Sequence, residues 1–295
     1  MQIILAPTQS KAQSIAKPFL KWAGGKTQLL SHYAPWLPVG EASQNGNRID
    51  GVYHEPFLGG GAIFFHLKPT VAVLSDINSR LINCYRAVRD QVEELIGLLK
   101  LHEQMNSEEH FYGQRSLCPV EVFSFDLQDA ARFIYLNRTC FNGLYRVNAK
   151  GEFNVSFGKY KSPNICDAEN LRLCSKALQA AQLHWQSWED SLSLVRSNAF
   201  VFMDPPYFPI VGQKSNFNSY DRPFTIDDQR CLADWAHDLV EFGSQVLIAN
   251  ADTLEARQLY GGYSHFRLES FDIHRKIGTG KGATARAKEL LVRSV

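Results

Sequence analysis

The chain has 295 residues, 45% of them hydrophobic, and a formal net charge of +1, which suits one large domain or a domain carrying a sizeable insertion. No apolar run reaches the ~20 residues of a membrane span, and Met1-Gln2-Ile3-Ile4-Leu5-Ala6 is too short for a signal-peptide core. Six cysteines without a C-x-x-C pair suggest neither zinc nor redox chemistry, so reduced thiols, a cytoplasmic location and no metal are expected.

Residues 1–17 read as a flexible arm. Pro18 then opens Phe19-Leu20-Lys21-Trp22-Ala23-Gly24-Gly25-Lys26-Thr27. The ending Gly25-Lys26-Thr27 is not a phosphate loop, because Leu20 stands where that loop needs glycine. A glycine pair between Trp22 and two lysines points to backbone pressed against a ligand, with an ordinary glycine turn as the bland alternative. Residues 52–54 then form a strand ending in Glu55, and Gly59-Gly60-Gly61 turns into a helix from Ala62. Phe64 stands where the dinucleotide fingerprint needs its third glycine. The next apolar run, Val71-Ala72-Val73-Leu74-Ser75, ends in Asp76. Strand, glycine turn, helix, strand, acid is how α/β nucleoside sites reach ribose hydroxyls. Alone, Asp76 reads equally well as the start of the helix expected over residues 79–88; the glycine turn favours the ribose role.

Residues 90–135 carry a helical stripe of Val92, Leu95, Ile96 and Leu99. Nine acids against two basic residues between 90 and 129 interrupt the alternation of strands and helices, so an insertion is expected to start here. It continues into residues 132–161, which hold six basic groups, one acid and seven aromatics. Asn148-Ala149-Lys150-Gly151 reads as the turn of a hairpin whose second strand alternates through residues 152–157. Such a basic, aromatic hairpin can enter a DNA groove, where Arg reads guanine and Asn reads adenine; a locally packed surface hairpin is the plain alternative. Residues 274–288 add five basic residues and no acid, and charge segregated in this way can make one basic face on a neutral protein.

Ala199-Phe200-Val201-Phe202-Met203 is an apolar run typical of a central parallel strand. Asp204-Pro205-Pro206-Tyr207 follows at once, at the sheet edge where α/β proteins bind ligands. Residues 208–222 read as a polar loop and Thr225-Ile226-Asp227-Asp228 as a capping box. Strands are expected at 246–250, 266–271 and 290–293. The fold class is therefore α/β, a sheet with helices on both faces, interrupted between about 90 and 165.

A carboxylate and two prolines before an aromatic ring, beside a nucleoside site without metal ligands, fit amino-group methylation. The lone pair of an adenine N6 is conjugated with its ring. A carboxylate on one N–H and a proline-held carbonyl on the other would free it, and a flipped base would stack on Tyr207. Positioning and electrostatics would carry the catalysis.

Six ordered motifs, F-L-K-W-A-G-G-K (19–26), E-P-F-L-G-G-G (55–61), S-D-I-N (75–78), Y-L-N-R…F-N-G-L-Y-R-V-N (135–148), G-E-F-N-V-S-F-G (151–158) and D-P-P-Y (204–207), resemble the Dam family of alpha-class DNA adenine-N6 methyltransferases. The resemblance runs from Phe19 to Arg293. It implies a Rossmann-like methyltransferase sheet over 18–89 and 166–295, with residues 90–165 as an inserted helical and β-hairpin target-recognition domain. It implies S-adenosylmethionine as cofactor, held by Trp22, Lys26, Asp76 and Asp204, with Glu55 and Phe57 near its methionine moiety. Asp204, Pro205, Pro206 and Tyr207 would form the adenine site. Lys21, Phe141, Leu144 and Arg146 would read bases, Asn142 would wedge the duplex, and Arg138 and Asn148 would lie near the DNA backbone. The partner is double-stranded DNA, met by a monomer at GATC, nucleoid-associated if the source is bacterial. Phe141 and Ser156 depart from the family pattern, which has Tyr and Pro there. The alternatives are another target sequence, a cytosine-N4 substrate, or an inactive DNA-binding protein.

Overall fold

A computed structural model describes residues 15–38, 51–117, 126–208, 224–276 and 284–295. Its sheet contains β1 (Tyr53–Glu55), β2 (Ala72–Asp76), β3 (Ala181–Trp185), β4 (Phe200–Met203), β5 (Gln245–Ala251), β6 (Phe266–Lys276) and β7 (Thr284–Ser294). The order is β3-β2-β1-β4-β5-β7-β6. Neighbours pair in parallel from β3 through to β5, and β7 lies antiparallel between β5 and β6.

The helices are α1 (Leu30–Tyr33), α2 (Ala62–Leu67), α3 (Ser79–Asp90), α4 (Val92–Gln104), α5 (Glu108–Ser116), α6 (Leu127–Thr139), α7 (Ala168–Leu178), α8 (Trp188–Leu192), α9 (Ile226–Glu241) and α10 (Leu254–Gly261). Both faces of the sheet are covered, as β4 illustrates. Phe200 and Phe202 join the core that α2, α3, α4, α6 and α7 build, while Val201 and Met203 join the one under α8, α9 and α10. Side chains alternate across a strand, so only a strand buried on both sides reads as an unbroken apolar run. The Thr225 capping box forms with Asp228 at N3. No described helix is long and apolar enough to cross a membrane, and the five described cysteines are free.

Several expectations are sharpened or corrected. Residues 1–14 of the expected arm, the loop at 209–223 and the tip at 277–283 lie outside the described residues. The end of the arm is not loose: Ala16 is buried, and the Lys17 backbone exchanges two hydrogen bonds with the Asn170 side chain on α7. Among the described residues between 90 and 135 there are three helices, α4, α5 and α6, and Ser107 and Asp126 cap the last two. The hairpin around 148–151 is held by two isolated bridges, Cys140 with Phe157 and Val147 with Phe153, and not by a continuous ladder. Phe111, Ile134, Tyr145 and Phe153 from the 90–165 segment share one core with Tyr53, Leu74 and Phe202 of the sheet. β6 and β7 run far past their apolar stretches because eleven paired residues stabilise a ladder that hydropathy alone does not reveal.

Candidate active site

Parallel strands that leave a sheet in opposite directions open a crevice at their carboxyl ends. Here β1 has β2 on one side and β4 on the other. Glu55 ends β1, Asp76 ends β2 and Asp204 follows the last residue of β4. β7 adds a fourth carboxylate to this edge, because its register places Glu289 opposite Ala251, the last residue of β5.

Lys26 is the buried cation among them. It opens a short 3-10 turn after Gly25, and its Nζ lies 2.5 Å from Asp204 Oδ2 and 2.8 Å from the Gly24 carbonyl. The same Nζ sits 5.1 Å from the centre of the Tyr207 ring. Burial pushes the Asp204 carboxyl above its ordinary range, and the charge of Lys26 opposes that rise. Glu55 is buried, accepts a hydrogen bond from Tyr53 Oη at 2.8 Å, and is pushed up to about 8 by desolvation. Asp76 is raised to about 6 by burial, although backbone N–H groups donate to it.

Those donors settle how Asp76 is used locally. Its carboxylate accepts from Gly59 N at 3.0 Å and Asn78 N at 2.9 Å, and so ties the glycine turn to the end of β2. Asn78, not Asp76, caps α3, with its side chain accepting from Leu81 N. Gly59 has φ +47°, and a Cβ there would meet Trp22 Cδ1 at 2.8 Å. The glycine turn thus admits the indole, which is stacked on Tyr145 at 5.4 Å and on Phe133 at 6.4 Å between ring centres. The 19–26 motif thereby touches both the crevice and the 90–165 segment. Phe57 packs against Trp188 and Phe224.

The tetrapeptide is braced from α9 and β5. Gln229 Nε2 donates to the Pro206 carbonyl at 2.7 Å, Asn250 Nδ2 donates to Gln229 Oε1 at 3.1 Å, and Phe208 N donates to Asn250 Oδ1 at 3.0 Å. Tyr207 Oη donates to Glu289 Oε1 at 2.7 Å. Sequence reasoning missed Gln229, Asn250 and Glu289. Glu289 had a readable signal, an acid next to the apolar run Leu290-Leu291-Val292, but on the opposite side of the run from Glu55 and Asp76. In a strand antiparallel to its neighbour, the residue that precedes the apolar run, not the one that follows it, lies at this edge.

The expected DNA-contacting residues separate into two groups. Lys21, Asn142 and Arg146 are exposed. Asn142 adopts φ +56° ahead of Gly143 at φ +63°, and a Cβ on Gly143 would strike the Lys21 side chain. Lys21 Nζ also stands over the Tyr160 ring at 4.7 Å, and Arg146 Nε donates to Asn154 Oδ1 at 2.7 Å. Phe141 and Leu144 are half-buried against the core. Asn148 spends its side chain on the turn, accepting from Lys150 N and Glu152 N and donating to Glu152 Oε2. Arg138 is half-buried, with Lys21 and Asp167 as its charged neighbours. One group of side chains close enough together to share a metal ion occurs among the described residues, His237, Glu241 and His265. It lies at the other edge of the sheet, where β6 begins opposite Ser294.

The family described as D12 class N6 adenine-specific DNA methyltransferase matches residues 22–276. A Lactococcus lactis subsp. cremoris protein named Type II methyltransferase M1.LlaDCHI is 37% identical over 282 residues, covering 94% of each chain. The Type II methyltransferase M.MjaIII of Methanocaldococcus jannaschii is 38% identical, covering 84% of this chain and 89% of its own. The DNA adenine methylase of Escherichia coli K12 is 35% identical, covering 93% of this chain and 94% of its own.

Proposed function

The chain belongs to the D12 class N6 adenine-specific DNA methyltransferases, and within that activity we propose its methyl donor, its site residues and its target. The donor is S-adenosylmethionine. The target is the N6 of an adenine flipped out of duplex DNA, within GATC. One observation carries the reading: Glu55, Asp76 and Asp204 meet at the carboxyl ends of β1, β2 and β4, with Lys26 as the buried cation between them. Such a surplus of carboxyl groups suits a cationic nucleoside donor, whose arrival relieves the strain that keeps Glu55 protonated.

Asp76 takes the ribose, Glu55 and Phe57 face the methionine moiety, and Trp22 and Lys26 complete the pocket with Asp204. When bound, the donor supplies an electrophilic methyl group on a sulfonium. The protein's own residues do the rest. Asp204 accepts one N–H of the adenine amino group, and the Pro205 carbonyl accepts the other, since the Pro206 carbonyl already accepts from Gln229. Tyr207 offers its ring to the extrahelical base. Lys26 covers part of that ring in the free protein, so base entry requires its ammonium to shift toward the donor.

Residues 18–89 and 166–295 form the catalytic part, and 90–165 the target-recognition part. Lys21, Phe141, Leu144 and Arg146 read bases, Asn142 wedges the duplex, and Arg138 and Asn148 lie near the backbone. The enzyme acts as a monomer in the cytoplasm. Transfer from labelled S-adenosylmethionine to duplexes carrying GATC or each of its single-base variants tests the reading. Label in GATC duplexes alone is expected. Transfer to another sequence would replace GATC and would tie the departures from the family pattern at Phe141 and Ser156 to target choice. No transfer to any duplex would sink the donor assignment.

A further inference from the structure

Glu289 is 1% exposed in the middle of a sheet, a costly place for a carboxyl group unless hydrogen bonds compensate it. Two phenols provide them. Tyr33 Oη and Tyr207 Oη each donate to Glu289 Oε1, both at 2.7 Å. Burial first, and neighbouring carboxyl groups next, hold both phenols well above their ordinary range, so each remains a protonated donor. The three residues come from separate parts of the chain. Tyr33 follows the 19–26 motif on α1, Tyr207 ends the tetrapeptide, and Glu289 lies on β7, which runs antiparallel to β5 at this edge. Tyr33 is fixed in turn, its ring edge-on to Phe202 at 6.0 Å and Phe271 at 5.9 Å. An aromatic ring anchored through its hydroxyl cannot swing about its side-chain bonds without breaking that hydrogen bond.

We propose that Glu289 is the positioning residue for Tyr207, holding the ring in the attitude that receives the adenine and coupling it through Tyr33 to the donor-side motif. This rests on the reading of Tyr207 as the base platform. Glu289 touches neither donor nor base; it acts through the tyrosine. Its carboxylate geometry matters more than its charge, so an amide of the same shape is expected to serve in part.

The test compares Glu289→Gln and Glu289→Leu in the full chain, with 3-fluorotyrosine at position 207 as a reporter that needs no substrate. The Leu variant is expected to broaden or split the fluorine resonance, to lower kcat at least tenfold, and to leave the Kd for S-adenosylmethionine within about threefold of the parent. The Gln variant is expected to keep one resonance and kcat within about fivefold. In a Tyr207→Phe background, which lacks the hydroxyl, Glu289→Gln is expected to have no further effect on kcat. Should the Leu variant fail to fold, the Gln variant and that double-mutant comparison decide. An unchanged resonance in the Leu variant, or an undiminished Gln effect in the Phe background, overturns the proposal. A parent that shows a single resonance but no methyl transfer instead overturns the reading of Tyr207 as a base platform, which separates the two failures.

Discussion

Lys26 Nζ and Asp204 Oδ2 meet at 2.5 Å across 178 residues of sequence. The pair closes the crevice between the glycine-rich turn and the end of β4, and it places a cation over the ring of Tyr207. Removing either partner of a buried pair strands the other, at a cost of about 3–5 kcal/mol when burial is complete. The Asp204 side chain is 21% exposed, so Lys26→Met is expected to cost about 2–3 kcal/mol, below that range because water still reaches the carboxylate. Denaturant unfolding measures it, and a loss under 1 kcal/mol would show that the pair contributes little. Asp204→Ala is expected to abolish methyl transfer while duplex binding stays within about threefold; retained transfer would remove Asp204 from the adenine site.

In the proposed donor site, Glu55 ties binding to pH. Its usual value of 4.5 is raised to about 8 in the fold, so between those values the folded chain holds a proton that the unfolded chain has lost. This group therefore makes stability fall as pH rises from about 4.5 to about 8. A cationic donor favours the carboxylate, so binding at pH 7 is expected to release a proton and to tighten as pH rises toward 8. Calorimetry in two buffers of different ionisation enthalpy reads the release directly, and Glu55→Gln is expected to remove it. Heats independent of buffer would contradict the assignment.

Gly59→Ala tests the contact that admits Trp22. Alanine at φ +47°, with its Cβ 2.8 Å from the indole, must displace one or the other, and residues held in such backbone regions cost about 1–3 kcal/mol. The expected result is a shifted tryptophan emission and at least tenfold weaker donor binding. Full donor affinity in this variant would show that Trp22 and the turn are not part of the pocket.

Arg146 is an exposed cation of the hairpin, steadied by Asn154. Arg146→Ala is expected to relax discrimination at one base pair by about 1–3 kcal/mol, the worth of a bidentate guanine contact. Competition among single-base variants of the target measures it. A uniform loss across all sequences would reassign Arg146 to the phosphates.

The sequence by itself determined β1, β2, β4 and β5, because parallel strands buried on both faces cannot hide their runs, whereas β3, with Gln182 and Trp185 exposed, went unread. It also marked Glu55, Asp76 and Asp204, since in a parallel strand an acid that ends such a run must lie at the carboxyl edge. What it left open depended on pairing. Glu289 precedes its apolar run, and only the antiparallel register opposite Ala251 carries it to the same edge. The meeting of Lys26 with Asp204, and of Tyr33 and Tyr207 on one carboxyl oxygen, joins segments too distant in sequence for any local pattern to record. Likewise the resemblance placed Asn148 near the DNA backbone, but only the fold reveals that its amide also holds the turn. Local pattern reports which residues are buried; only the tertiary fold decides which polar groups must satisfy one another once they are.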